Sequence, residues 1–133
     1  INMKLQQMVD QFNSVFMVGR ARRATTGTVA EQALVISVIE EELNELDDAL
    51  RNGDVVEALD AFVDIIYATA QQARKLGMPL EEALAEVHRS NLSKLDENGE
   101  PIFRNDGKVL KGPNYEAPDL AMVLELQGMK KYG

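Results

Sequence analysis

The chain has no cysteine and no tryptophan among its 133 residues, and its single histidine is His88. Without cysteine there is no disulfide, no thiolate nucleophile and no zinc–thiolate site. The lone His, remote from the acidic clusters below, disfavours a di-iron centre, because helical bundles that hold iron add His ligands to their carboxylates. Positive charge is also scarce: 14 Lys and Arg stand against 22 Asp and Glu, a formal net charge of −8. A general nucleic-acid binder needs a basic face, which excludes that class. A nucleotide ligand is not excluded, because a bound metal ion turns an acidic patch into a phosphate receptor. No apolar run approaches the roughly 18–20 residues that span a bilayer, and no signal-peptide pattern opens the chain. A cytoplasmic setting fits. Length and an ordinary balance, 45% hydrophobic and 27% charged, predict one domain over 1–133, with a helical core over about 3–95 and an arm over about 96–133.

Periodicity makes the core helical. Leu5, Met8, Val9, Phe12 and Phe16 recur at steps of three and four, predicting an amphipathic helix from about Met3 to Val18. Thr28, with Glu31 three residues on, suits the start of a second helix. It runs to about Arg51, with Ile36, Ile39, Leu43, Leu46 and Leu50 as its buried stripe. Asn52-Gly53 ends it. Asp54 caps a third helix that buries Leu59, Phe62, Val63 and Ile66. Gly77 closes that helix, and Pro79 suits the first turn of a fourth, to about Lys94. Beyond Leu95, the segments around Asn105-Asp106-Gly107 predict a short hairpin. A final short helix is expected over Asp119 to Lys130. The expected fold class is all-α: a four-helix bundle, a hairpin-containing arm and a last short helix.

Two acidic clusters flank the Asn52-Gly53 break. Glu41, Glu42, Glu45 and Asp48 lie upstream; Glu57, Asp60 and Asp64 lie downstream. In antiparallel helices of equal rise, residues equidistant from the turn come level, which pairs Glu45 with Asp60 and Glu41 with Asp64. No basic residue lies between Glu31 and Arg51, nor between Asn52 and Arg74. Like charges so spaced repel, and an all-oxygen set suits a hard ion such as Mg²⁺ or Mn²⁺. The plainer alternative is an acidic, solvent-facing helix pair, which charge runs usually are.

Glu41-Glu42-Leu43-Asn44-Glu45, followed by an acidic third helix, resembles the all-α nucleoside triphosphate pyrophosphohydrolases, the MazG-like superfamily. Glu86-Val87-His88-Arg89-Ser90-Asn91-Leu92-Ser93-Lys94-Leu95 and Asp106-Gly107-Lys108-Val109-Leu110-Lys111-Gly112-Pro113 are similar to its phosphoribosyl-ATP pyrophosphohydrolase-like branch. By this resemblance Glu41, Glu42 and Glu45 match the first acidic motif, and Asp64 the Asp that closes the second. The family carries Glu three residues before that Asp, where this chain has Ala61. Asp60, one residue earlier on the same stripe, is expected to take its place. A rival alignment makes Glu57-Ala58-Leu59-Asp60 the second motif. Asn91 and Lys94 match nucleotide-contacting positions, and their three-residue spacing puts them on one helical face. Lys94 also reads as a cation at a helix end. Arg20, Arg22 and Arg23 stand before the second helix, able to meet a phosphate tail or a base, or simply to face water. Phe12, Phe16 and Tyr67 read first as core residues, and Phe12 is the first choice among them to touch a base.

The resemblance implies hydrolysis of a nucleoside or deoxynucleoside triphosphate to the monophosphate and pyrophosphate, controlling a nucleotide pool. Two or three Mg²⁺ ions are implied, with Mn²⁺ able to substitute, and Glu42 or Glu41 as the base. No P-loop or Ser/His/Asp set competes. The arm is similar to branches of bacteria and their phages, so the cytoplasm of a bacterium or of a phage's host is the expected setting. Two rival functions are a phosphoribosyl-ATP pyrophosphohydrolase of histidine synthesis and a non-catalytic helical oligomerisation module. Apolar surface beyond the needs of one small bundle, together with the resemblance, predicts a homo-oligomer, tetramer or dimer, in which the Pro101–Pro118 arm serves a neighbour.

Overall fold

The computed structural model describes residues 4–132. It contains five helices: α1 (Leu5–Val15), α2 (Val29–Arg51), α3 (Val55–Lys75), α4 (Leu80–Leu92) and α5 (Leu120–Tyr132). No strand occurs among the described residues, so the chain is all-α as expected. Helix α1 is shorter than the Met3–Val18 expectation. Met3 lies outside the described residues, and at the other end Phe16 already caps the helix, with Met17 at φ 54. Helix α4 stops at Leu92, two residues before Lys94. Helix α5 runs two residues past the expected end. The hairpin is reduced to one antiparallel bridge, Phe103 to Val109. Arg104 N donates to Lys108 O (2.7 Å) and Leu110 N to Ile102 O (2.8 Å).

The chain divides into two compact units, residues 1–80 and 81–133. The first holds α1 to α3, with α3 packed against both others. Both ends of the α2–α3 hairpin are fixed locally. Thr28 Oγ1 accepts from Glu31 N (3.1 Å) while Glu31 Oε1 accepts from Thr28 N (3.0 Å), a reciprocal cap. Gly53 turns the chain at φ 64, and Asp54 Oδ1 accepts from Glu57 N (3.0 Å). Helix α1 runs antiparallel to α3, as three contacts show: Asp10 with Arg74, Phe12 with Tyr67, and Asn13 with the Gln71 carbonyl.

The packed face is not the one the large apolar residues suggested. Leu46 and Ala49 of α2 meet Ala58 and Ala61 of α3, with Ile65 against them. Of the expected α2 and α3 stripes only Leu46 is buried. Ile36, Leu43, Leu50, Leu59, Phe62, Val63 and Ile66 are between 50% and 64% exposed. With Ala49, Ala58 and Ala61 in the seam, the large side chains lie a quarter-turn or more away at about 100° per residue. Because the helices are antiparallel, both displaced stripes fall on one side of the hairpin. Glu45 and Asp64 fall on the other.

The linker from α1 to α2 is tied across the end of α3. Ala21 N donates to Lys75 O (2.9 Å) and Thr25 N to Leu76 O (3.0 Å). Gly77, at φ 76, lies so close that a Cβ there would sit 2.8 Å from Arg23 O. In the second unit, Glu86 accepts from Arg89 (2.7 Å) and from Asp119 N (2.6 Å). Ser90 Oγ donates to Glu116 O (2.7 Å). Together these hold the segment before α5 on α4.

Candidate active site

Counting around α2 at about 100° per residue, Glu42 falls on the same face as Leu46 and Ala49, where a hydrophobic residue would complete the packing. Its carboxylate is half-buried. Oε2 is sealed from water and has no hydrogen-bond partner among the described residues. Oxygens of Glu42, Glu45 and Asp64 all lie within 4.8 Å of one another. Burial raises the Glu42 pKa above the ordinary carboxylate range, and the neighbouring carboxylates of Glu45, Asp64 and Glu41 raise it further. An acid placed on a packing face and left unpaired is destabilising by itself. Three converging oxygens, with no ion pair to them among the described residues, make a donor set that fits a hard divalent ion.

Not every expected carboxylate joins this group. Asp60 is exposed and stands roughly 40° further round α3 from the packed face than Asp64. Glu57 is exposed in the first turn, and Glu41 stands outside the three while still adding its field at Glu42. Equal rise brings the Glu45 and Asp60 backbones level, yet the structure joins Glu45 to Asp64. Helical side chains lean toward their own N-terminus. In an antiparallel pair Glu45 therefore leans away from the turn and Asp64 toward it, so they meet across one extra helical turn.

The aromatic residues lie at the α1–α3 seam. The Phe12 ring is 4.4 Å from Phe16 and 5.9 Å, edge-on, from Tyr67. Arg20 Nη1 is 3.8 Å from Asp10 Oδ2, while Arg22 and Arg23 are exposed. In the second unit Asn91 is exposed on the last turn of α4. Lys94 follows the helix, and its carbonyl accepts from Gly112 N (2.8 Å). That close approach requires Gly112, since a Cβ would meet Leu95 O at 2.3 Å. His88 is exposed on α4.

The sequence reading passed over two groups. Asp10 binds the buried Arg74 through both oxygens, at 2.8 and 3.0 Å. Asn13 is buried beside it, with Nδ2 donating to Gln71 O (3.3 Å). The three-residue spacing of Asp10 and Asn13 on an otherwise apolar-faced helix was the available signal.

The sequence profile of the phosphoribosyl-ATP pyrophosphohydrolase family matches residues 9–91, which covers most of α1, all of α2 and α3, and most of α4. The chain belongs to this family. Its membership makes it a nucleotide pyrophosphohydrolase of the all-α, MazG-like superfamily. No curated protein is similar enough to this chain to count as a match. The matched segment contains every member of the three-carboxylate group, and no helix among the described residues is long and apolar enough to cross a membrane.

Proposed function

We propose that this pyrophosphohydrolase cleaves a nucleoside or deoxynucleoside triphosphate between its α- and β-phosphorus atoms, giving the monophosphate and pyrophosphate. The observation that carries the reading is the buried, unpaired Glu42 oxygen among the carboxylates of Glu45 and Asp64. These three residues would hold Mg²⁺ or Mn²⁺, which supplies positive charge to the phosphate oxygens as negative charge builds on them. Asp60 is close enough in sequence register to serve a second ion. Phosphoryl transfer of this kind needs positioning and charge stabilisation more than a side-chain nucleophile. Water attacks the α-phosphorus, the bond to the bridging oxygen breaks, and pyrophosphate leaves. Glu41, beside the group yet outside it, takes the proton from the attacking water.

The family's name favours a second substrate, phosphoribosyl-ATP, for which the bonds broken and formed are the same. Assaying pyrophosphate from each dNTP and from phosphoribosyl-ATP with Mg²⁺, in wild type and Asp64→Asn, separates the readings. Release from dNTPs, lost at least a hundredfold in the variant, supports the proposal. Turnover of phosphoribosyl-ATP alone moves the enzyme to histidine synthesis, and no turnover in any arm leaves a helical oligomerisation module.

The exposed stripes of α2 and α3 support a homo-oligomer, tetramer or dimer, that buries Ile36, Leu43, Phe62 and Ile66 against another copy. Sedimentation equilibrium reads this directly, and an active monomer would refute it.

A further inference from the structure

Two apolar faces of the second unit are open. From Leu120 to Met129 the only charged residue is Glu125, so α5 is apolar on nearly every side, the mark of a helix that is covered. Val123 is buried, but Met122, Leu126 and Met129 are between 43% and 63% exposed. Their steps of four and three put these three on one stripe. On α4, Leu84, Ala85 and His88, with Glu81, line an open groove of about 350 Å³. Leu92, one turn beyond His88, extends the same face, and Leu84 and Leu92 are each 57% exposed. Within this unit, and among the described residues, α4 and α5 do not pack along each other.

The chain's own α5 is kept from the groove by the way it begins. Glu86 accepts from Asp119 N and Ser90 donates to Glu116 O, so the segment leading into α5 is fastened to the Glu86–Ser90 side of α4. That side lies roughly 140–180° around the helix from the groove, at about 100° per residue. Helix α5 starts at Leu120, the residue after the fastened Asp119, which leaves no slack to wrap round α4. A second copy has no such tether, and the two faces match in length and charge. Leu84 to Leu92 and Met122 to Met129 each rise roughly 10–12 Å at about 1.5 Å per residue. Glu81 and Glu82 stand in the first turn of α4, at the Leu84 end, and in the sequence Lys130 and Lys131 follow Met129. Laid antiparallel, the acidic end of one face meets the basic end of the other. We propose that α5 of a second copy lies antiparallel in the α4 groove, an apolar helix face in a groove, with each copy giving one helix and receiving one. This contact is separate from the α2–α3 stripes and does not rest on the proposed reaction. A second two-fold interface of this kind is what carries a dimer on to a tetramer.

The absence of cysteine makes crosslinking a clean test. Two single variants of the full chain, Leu84→Cys and Met129→Cys, are co-expressed and oxidised with copper–phenanthroline. They should give about tenfold more disulfide-linked dimer together than either gives alone, because docking holds the thiols at an effective concentration far above that in bulk. Leu92→Cys with Met122→Cys should behave likewise. Leu84→Cys with Met122→Cys, the pair that a parallel arrangement would join, should give no excess. All four side chains are exposed, so the substitutions leave the fold intact. An equal yield from the parallel pair overturns the antiparallel docking, and no excess in any pair overturns it too. A chain carrying both Leu84→Cys and Met129→Cys that links within itself, and runs as a monomer, would show its own α5 in the groove and overturn the second copy as occupant.

Discussion

Replacing Glu42 with Gln keeps the side chain's shape and removes its charge, and the two consequences should have opposite signs. Two unit charges about 4 Å apart repel by roughly 1 kcal/mol in water and about 4 kcal/mol at an effective dielectric of 20. Glu42 faces Glu45 and Asp64 at comparable separations, from a position that is partly desolvated. Relaxation and solvent reduce the sum, so a net gain of about 1–3 kcal/mol is expected for the metal-free variant at neutral pH. For a chain of this length that corresponds to a rise in Tm of roughly 3–5 °C per kcal/mol. The Gln Nε2 can also donate to the neighbouring carboxylates. The sign with pH follows from the raised pKa. The penalty is absent below the unfolded carboxylate value and grows as pH rises through the higher folded value, so the Tm advantage of Glu42→Gln should shrink on acidification. With Mg²⁺ the order is expected to reverse: the wild type should gain stability by binding and the variant should gain little. Differential scanning calorimetry with EDTA and with Mg²⁺ reads all four states. A metal-free Glu42→Gln that melts below the wild type, with both proteins stabilised equally by Mg²⁺, would refute the reasoning.

Two further outcomes follow from other parts of the structure. Gly77→Ala should cost about 1–3 kcal/mol in urea unfolding, because φ 76 strains any Cβ and the new methyl meets Arg23 O at 2.8 Å; amide exchange at Ala21 and Thr25 should speed up with it. Glu86 is held at a pKa of about 2, by Arg89 first and then by the Asp119 amide. Its stabilising effect is complete above the ordinary carboxylate value of about 4.5 and is lost as pH falls toward 2. Proteolysis of the 112–119 segment should therefore rise across that window in wild type, and Glu86→Gln should flatten the pH dependence.

The helices were legible because their ends are written locally. Thr28 with Glu31, Asn52-Gly53-Asp54 and Gly77 each act within a few residues, and the structure uses all of them. The choice of packed face was not legible. On α3 the large apolar residues and the alanines Ala58 and Ala61 mark two candidate faces, on α2 Leu46 and Ala49 stand beside the larger stripe, and only the tertiary pairing decides between them. The carboxylates show the same limit. That Glu42, Glu45 and Asp64 belong to acidic helices is plain from spacing. That Asp64 rather than Asp60 reaches Glu45 depends on the lean of side chains off antiparallel axes, which a count of levels omits. Asn13 carried almost no signal, because a single Asn on an apolar helix is common and its unpaired oxygen becomes visible only once Gln71 is in place.

The α2–α3 hairpin has one more consequence, for the order in which the protein assembles. Its contacts are close in sequence and its turn is three residues long, so it is the element able to form first. Forming it brings Glu42, Glu45 and Asp64 together before α1 has closed over the hairpin. If the hairpin forms first, the repulsion among these carboxylates should already be felt at that stage. A divalent ion that neutralises it should act on the refolding rate more than on the unfolding rate, and the folding arm of a chevron should be the one that moves with Mg²⁺.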